Sequence, residues 1–83
     1  MILESIKSII SELVSLDVEE IQEEDALGIL GVDSLLTVEL ILRIEEMYEI
    51  TFDSSDINFD NFEFVKSVAN ITERYLNNHV EVY

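Results

Sequence analysis

No cysteine occurs in the 83 residues, which removes disulfides, thiolate nucleophiles and most structural zinc sites together. Histidine is almost as scarce. His79 is the only one; it falls in the expected C-terminal tail, far from partners a catalytic role would need, and reads as a solvated residue. Basic residues are few as well: Lys7, Arg43, Lys66 and Arg74 stand against 19 acids, for a formal charge of −15. Such a chain repels phosphate backbones and anionic membrane surfaces and is drawn to basic protein faces. Neither nucleic acid nor membrane is therefore an expected partner, and a monomer is expected. Long apolar runs are also missing, so nothing here should span a membrane. The start, Met1-Ile2-Leu3-Glu4, has no basic flank and no small-residue cleavage pattern, which points to a cytoplasmic location.

What is present is a set of amphipathic segments. Apolar residues make up 48% of the chain, enough for one modest core and too many for a disordered acidic tail. There is no repeat, proline-rich linker or low-complexity tract, so residues 1–83 read as one domain. Ile2, Leu3, Ile6, Ile9, Ile10, Leu13 and Val14 recur at helical spacing and predict a helix over 2–15. The stretch 16–33 is dense in acids, carries both glycines and holds isolated apolar anchors at Val18, Ile21 and Leu27. It reads as a long structured loop, of a length that tends to be functional. A second helix is expected over 34–49, a short one over 56–62 from Ile57, Phe59 and Phe62, a last one over 64–77, and a tail over 78–83. The fold class is all-α: a small four-helix bundle of three principal helices and one short helix, with a long first loop.

The second helix has more apolar surface than a core needs. At about 100° per residue, Leu40, Ile41, Ile44, Met47 and Tyr48 share one arc, the expected core face. Leu35, Val38 and Leu42 fall on nearly the opposite side, with Glu39 and Glu46 along one edge and Glu45 and Glu49 along the other. Apolar anchors inside a charged rim are the layout of a docking surface that selects basic partners.

Ser34 opens this helix. The first turn of a helix offers unpaired N–H groups and a partial positive charge, which favour a phosphate ester on a hydroxyl placed there. Asp33 can cap the helix and Gly31 frees the backbone before it. Other chemistry finds little support. In Asp53-Ser54-Ser55-Asp56-Ile57-Asn58, Ile57 stands at a ligand position of the helix-loop-helix calcium pattern. Asn58 replaces its glycine and Phe64 its closing glutamate, so no metal site is expected. No nucleophile–base pair has a better base than His79, so the chain is expected to be non-catalytic.

Gly31-Val32-Asp33-Ser34-Leu35-Leu36-Thr37-Val38-Glu39-Leu40 resembles the phosphopantetheine attachment signature of acyl and peptidyl carrier proteins. Ile21–Leu27 resembles the family's loop before the signature, and Asn61–Val68 its entry to the last helix; the likeness runs over roughly residues 2–77. The resemblance implies that Ser34, flanked by Asp33 and Leu35, receives 4′-phosphopantetheine from coenzyme A through a separate magnesium-dependent phosphopantetheinyl transferase. The arm's thiol would then hold cargo as a thioester and present it to loading and processing enzymes with basic docking faces. Leu35, Val38, Glu39, Leu42, Glu45 and Glu46 match the family's docking positions. Leu36, Arg43 and Gly28-Ile29-Leu30 depart from fatty-acid carriers and lean toward a specialised pathway. The chain resembles a discrete carrier with an acyl or aminoacyl cargo of fatty-acid, polyketide or related biosynthesis. An aminoacyl, D-alanyl or peptidyl carrier loaded by an adenylating enzyme, and an unmodified acidic interaction domain, are the alternatives.

Overall fold

The structure, a computed structural model, describes residues 2–80, and side chains up to Asn77. Four α-helices follow in order: α1 (Ile2–Val14), α2 (Leu27–Leu30), α3 (Ser34–Tyr48) and α4 (Val65–Val80), with short 3-10 turns at Val18–Glu20, Ser54–Asp56 and Asp60–Phe62. This is the expected all-α bundle, and its short helix lies elsewhere than expected. The segment 56–62 forms no α-helix; it is split between two 3-10 turns, while the one-turn helix α2 sits inside the supposed loop.

Helix α1 packs against both α3 and α4, and α4 also packs against the Asp60–Phe62 turn. The core is aliphatic: Ile6, Ile9 and Ile10 from α1; Leu40, Ile41 and Ile44 from α3; Val65, Val68, Ala69 and Ile71 from α4. Thr72 is buried among them, and its hydroxyl donates to the Val68 carbonyl one turn back at 2.8 Å, so no polar atom is stranded. Met47 departs from the expected core face and is exposed. The chain reverses at Glu49, and Ile50 and Phe52 enter the core cluster after that reversal.

Helix ends follow local chemistry. α1 stops at Ser15 and α3 at Glu49, both in the left-handed region (φ 59° and 56°). α4 runs to Val80, three residues past the expected end at 77. The tail reading for 81–83 and the surroundings of the His79 side chain lie outside the described residues.

The long first loop is stapled to the start of α4. Leu27 N–H donates to the Glu63 carbonyl at 2.8 Å, while the Asp25 and Glu23 carbonyls accept from Val65 and Lys66 at 3.0 and 2.9 Å. The loop thereby satisfies first-turn donors of α4 that have no partner within the helix. Ile21, Leu27 and Val32 are buried from this segment, whereas Val18 lies at the surface. A four-residue helix such as α2 cannot persist alone. Here it is held by those bonds and closed by Gly31 at φ 103°, with Gly31 N–H on the Gly28 carbonyl and Val32 N–H on that of Leu27.

Candidate functional site

Asp33 is the N-cap of α3. Its side chain accepts the Leu36 N–H at 2.9 Å, and its carbonyl accepts both the Thr37 N–H and hydroxyl at 2.8 Å. The cap thus occupies the donors of Leu36 and Thr37, which leaves those of Ser34 and Leu35 as the first-turn donors outside it. Ser34 is the first helical residue and is exposed. A cleft of about 550 Å³ opens beside it, lined by residues that include Gly28, Ile29, Val32, Thr37, Phe59 and Phe62. A shallower extension runs toward Ile57 and Asn58.

Outward on α3, Leu35, Val38 and Leu42 are each more than half exposed, and Glu39 and Glu46 are exposed with them. Glu45 stands differently. It is partly buried, and one of its carboxylate oxygens accepts the Phe52 N–H at 2.9 Å, tying the returning chain to the helix. Arg43 is likewise engaged: it reaches across to Glu12 of α1 at 2.7 Å. The acidic rim beside the stripe is therefore interrupted by no free cation on α3.

Sequence reasoning did not place Ile29, Thr37 and Phe59 at the site. Thr37 lay within the quoted motif and could have been found as the residue one turn after Ser34. Ile29 lies just upstream in the loop and Phe59 in a distant segment, and no local period connects either with Ser34.

The chain matches the family described as phosphopantetheine attachment site over residues 4–74. It is 34% identical to an acyl carrier protein of Phytoplasma mali, over 100% of this chain and 93% of that one. A non-reducing polyketide synthase of Emericella nidulans is 40% identical over 52 residues, which are 63% of this chain and 2% of the synthase. Among solved structures, a holo acyl carrier protein from Nitrosomonas europaea superposes with a TM-score of 0.80 at 25% identity, covering 90% of this chain and 95% of that one.

A small helical bundle whose exposed serine opens α3 is, on these likenesses, a carrier domain. The chain belongs to the acyl carrier protein family, and its cofactor is covalently bound 4′-phosphopantetheine. The residues present fit that group. An exposed hydroxyl and two uncommitted backbone donors meet at the helix start, and the cleft wall at Gly28 is open, since a Cβ there would meet no heavy atom within 4 Å.

Proposed function

We propose that Ser34 is the residue that bears the arm and that the chain is a non-catalytic carrier of acyl intermediates between enzymes of fatty-acid, polyketide or related biosynthesis. The observation that carries this reading is the position of Ser34: exposed, first in α3, beside both a capping Asp33 and an open cleft. The bound arm supplies a thiol, which this cysteine-free chain otherwise lacks.

The chain's own residues do the rest. Asp33 fixes the start of α3, so the hydroxyl of Ser34 is held at one place on a rigid element. Leu35, Val38 and Leu42 offer apolar anchors, and Glu39 and Glu46 select basic partner faces; Glu45 contributes its charge from a fixed position. The partners are a phosphopantetheinyl transferase and acyl-loading and processing enzymes, met by a cytoplasmic monomer. Acyl cargo is favoured over aminoacyl cargo because an acyl carrier protein matches the full length of this chain.

The test is mass analysis after incubation with coenzyme A and a broad-specificity phosphopantetheinyl transferase. Wild type should gain one arm, and Ser34→Ala none. No gain on wild type, or an equal gain on Ser34→Ala, would leave an unmodified interaction domain as the better description.

A further inference from the structure

No residue in 53–61 is buried, although Phe52 before this stretch and Phe62 after it both are. The stretch nevertheless lines the recess beside Ser34, where Ile57, Asn58 and Phe59 meet Ser34 and Thr37 of α3. A segment with so little buried surface has little to hold it down, and its hydrogen bonds show what does. Among the described residues, every hydrogen bond from 53–62 to the rest of the fold goes to one group, the Tyr75 hydroxyl of α4. We infer that 53–62 is a strap latched by Tyr75, and that release of this latch lets the strap lift and uncovers the recess beside Ser34. Tyr75 lines neither the recess nor the cleft, so it is a positioning residue.

The latch reaches the recess through a short run of bonds. Asp56 accepts from Tyr75 through its side chain, and its carbonyl accepts from the Asn61 amide at 2.8 Å. The Asn61 N–H donates to Asn58 Oδ1 at 2.9 Å, and the Asn58 amide donates to the Ser55 carbonyl at 3.0 Å. The two asparagines thus brace 55–61 as one unit, which carries Ile57, Asn58 and Phe59 together. At its ends Phe52 and Phe62 are buried and meet edge-on at 5.8 Å, so they serve as the hinges. Since no hydrogen bond ties the braced unit to α2 or α3, loss of the latch leaves it attached at those two ends.

Charge supplies the tendency to lift. The strap bears Asp53, Asp56 and Asp60 without a base, while Asp33 and Glu63 line the cleft beside it. Like charges separate when nothing opposes them. Tyr75 opposes them with a charge-assisted hydrogen bond to Asp56 and a second bond that occupies the Asp53 N–H. Release breaks no bond within α3 or α4. The inference rests on the reading of Ser34 only for what the recess serves; the opening itself is a property of the unmodified chain.

The absence of cysteine makes the opening measurable. Thr37→Cys places a single thiol in the recess, and its rate of labelling by a soluble disulfide reagent reports how often the strap lifts. Adding Tyr75→Phe should raise that rate roughly tenfold. Low concentrations of urea should hardly change it, since lifting a strap exposes little surface. Asp56→Ala should raise the rate as well, while Asp56→Asn, which keeps an oxygen for the Tyr75 hydroxyl, should restore most of the protection. A thiol placed by Met47→Cys, exposed on α3 and outside the recess, should label equally fast with and without Tyr75→Phe. Equal labelling of the Thr37→Cys thiol with and without the latch would overturn the inference. So would a rise that climbs steeply with urea, which would assign it to global unfolding. If wild type takes no arm while these rates hold, the reading of Ser34 falls and the latch stands.

Discussion

The Tyr75 hydroxyl of α4 donates to Asp56 Oδ2 at 2.5 Å and accepts the Asp53 N–H at 2.8 Å, so one side chain holds both ends of the Ser54–Asp56 turn. Its ring meets Phe52 edge-on at 4.9 Å, and Phe52 meets Phe62 in the same way at 5.8 Å. Phe62 is a wall of the cleft beside Ser34. The chain from Asp53 to Phe62 is thus anchored at its start by a hydroxyl and at its end by a buried ring.

Tyr75→Phe keeps the aromatic stack and deletes both hydrogen bonds. The bond to the Asp56 carboxylate is charge-assisted, and loss of the other leaves the Asp53 N–H without its protein partner, so a loss of about 1–3 kcal/mol is expected. In a domain of this size that corresponds to a fall in melting temperature of roughly 4–24 °C. Amide exchange at 53–57 should quicken more than exchange in α1. An unchanged melting curve would show that the clasp contributes nothing net.

Alkaline pH should open the same clasp. Burial, then the hydrogen bond to Asp56, raise the Tyr75 phenol above its ordinary value of 10.0; the Asp53 N–H opposes them, and the charges of Asp56 and Asp53 add smaller increases. The folded state therefore holds this proton more tightly than the unfolded chain does. The contribution is complete below about pH 10 and is lost as pH rises through the folded value. Denaturant midpoints followed from about pH 8 to 12 should fall more steeply for wild type than for Tyr75→Phe. The two proteins differ in no other group, so the difference isolates Tyr75. Parallel curves would contradict the assignment.

What was legible in the sequence was whatever is local. The isoleucine period of α1, the cap at Asp33 and the outer stripe of α3 each depend on residues within one or two turns, and each appears in the structure. α2 was hidden because four residues carry no period, and because the bonds that hold it reach Glu63, more than thirty residues away. Met47 was misplaced because the wheel assumes a core that continues along the helix, while here Ile50 and Phe52 complete it after the chain reverses. Glu45 looked like part of a free rim; only the path of the returning backbone shows that it accepts the Phe52 N–H. The same limit hid Phe59, which reaches the cleft beside Ser34 from a distant part of the chain, and Ile29, whose one-turn helix is held by the bond to Glu63.

Glu49 is a site where a substitution should stabilise. It closes α3 at φ 56°, a conformation that costs an L-residue roughly 1 kcal/mol and glycine nearly nothing. Its negative charge also lies at the negative end of the helix dipole, in a chain already at −15. Glu49→Gly removes both penalties, while glycine's greater freedom in the unfolded chain returns part of the gain. A net increase of about 0.5–1 kcal/mol is expected, seen as a higher urea midpoint with an unchanged slope. A lower midpoint would mean that the Glu49 side chain makes a contribution larger than its strain.

Excess charge of one sign should make stability depend on ions throughout the molecule. With 19 acids against four bases, folding concentrates like charges, and the unfolded chain relieves them. Among the described residues no group of three or more acidic or histidine side chains is arranged to hold a metal ion. Magnesium is expected to act by lowering this field. At low ionic strength, millimolar magnesium should raise the melting temperature, and sodium chloride at a higher concentration should reproduce the whole increase. Calcium should match magnesium closely, because screening responds to valence and not to ion size. An increase that sodium chloride cannot reproduce, or one that calcium gives and magnesium does not, would point to specific coordination. No response to either salt would show that charge repulsion is already offset in the folded chain.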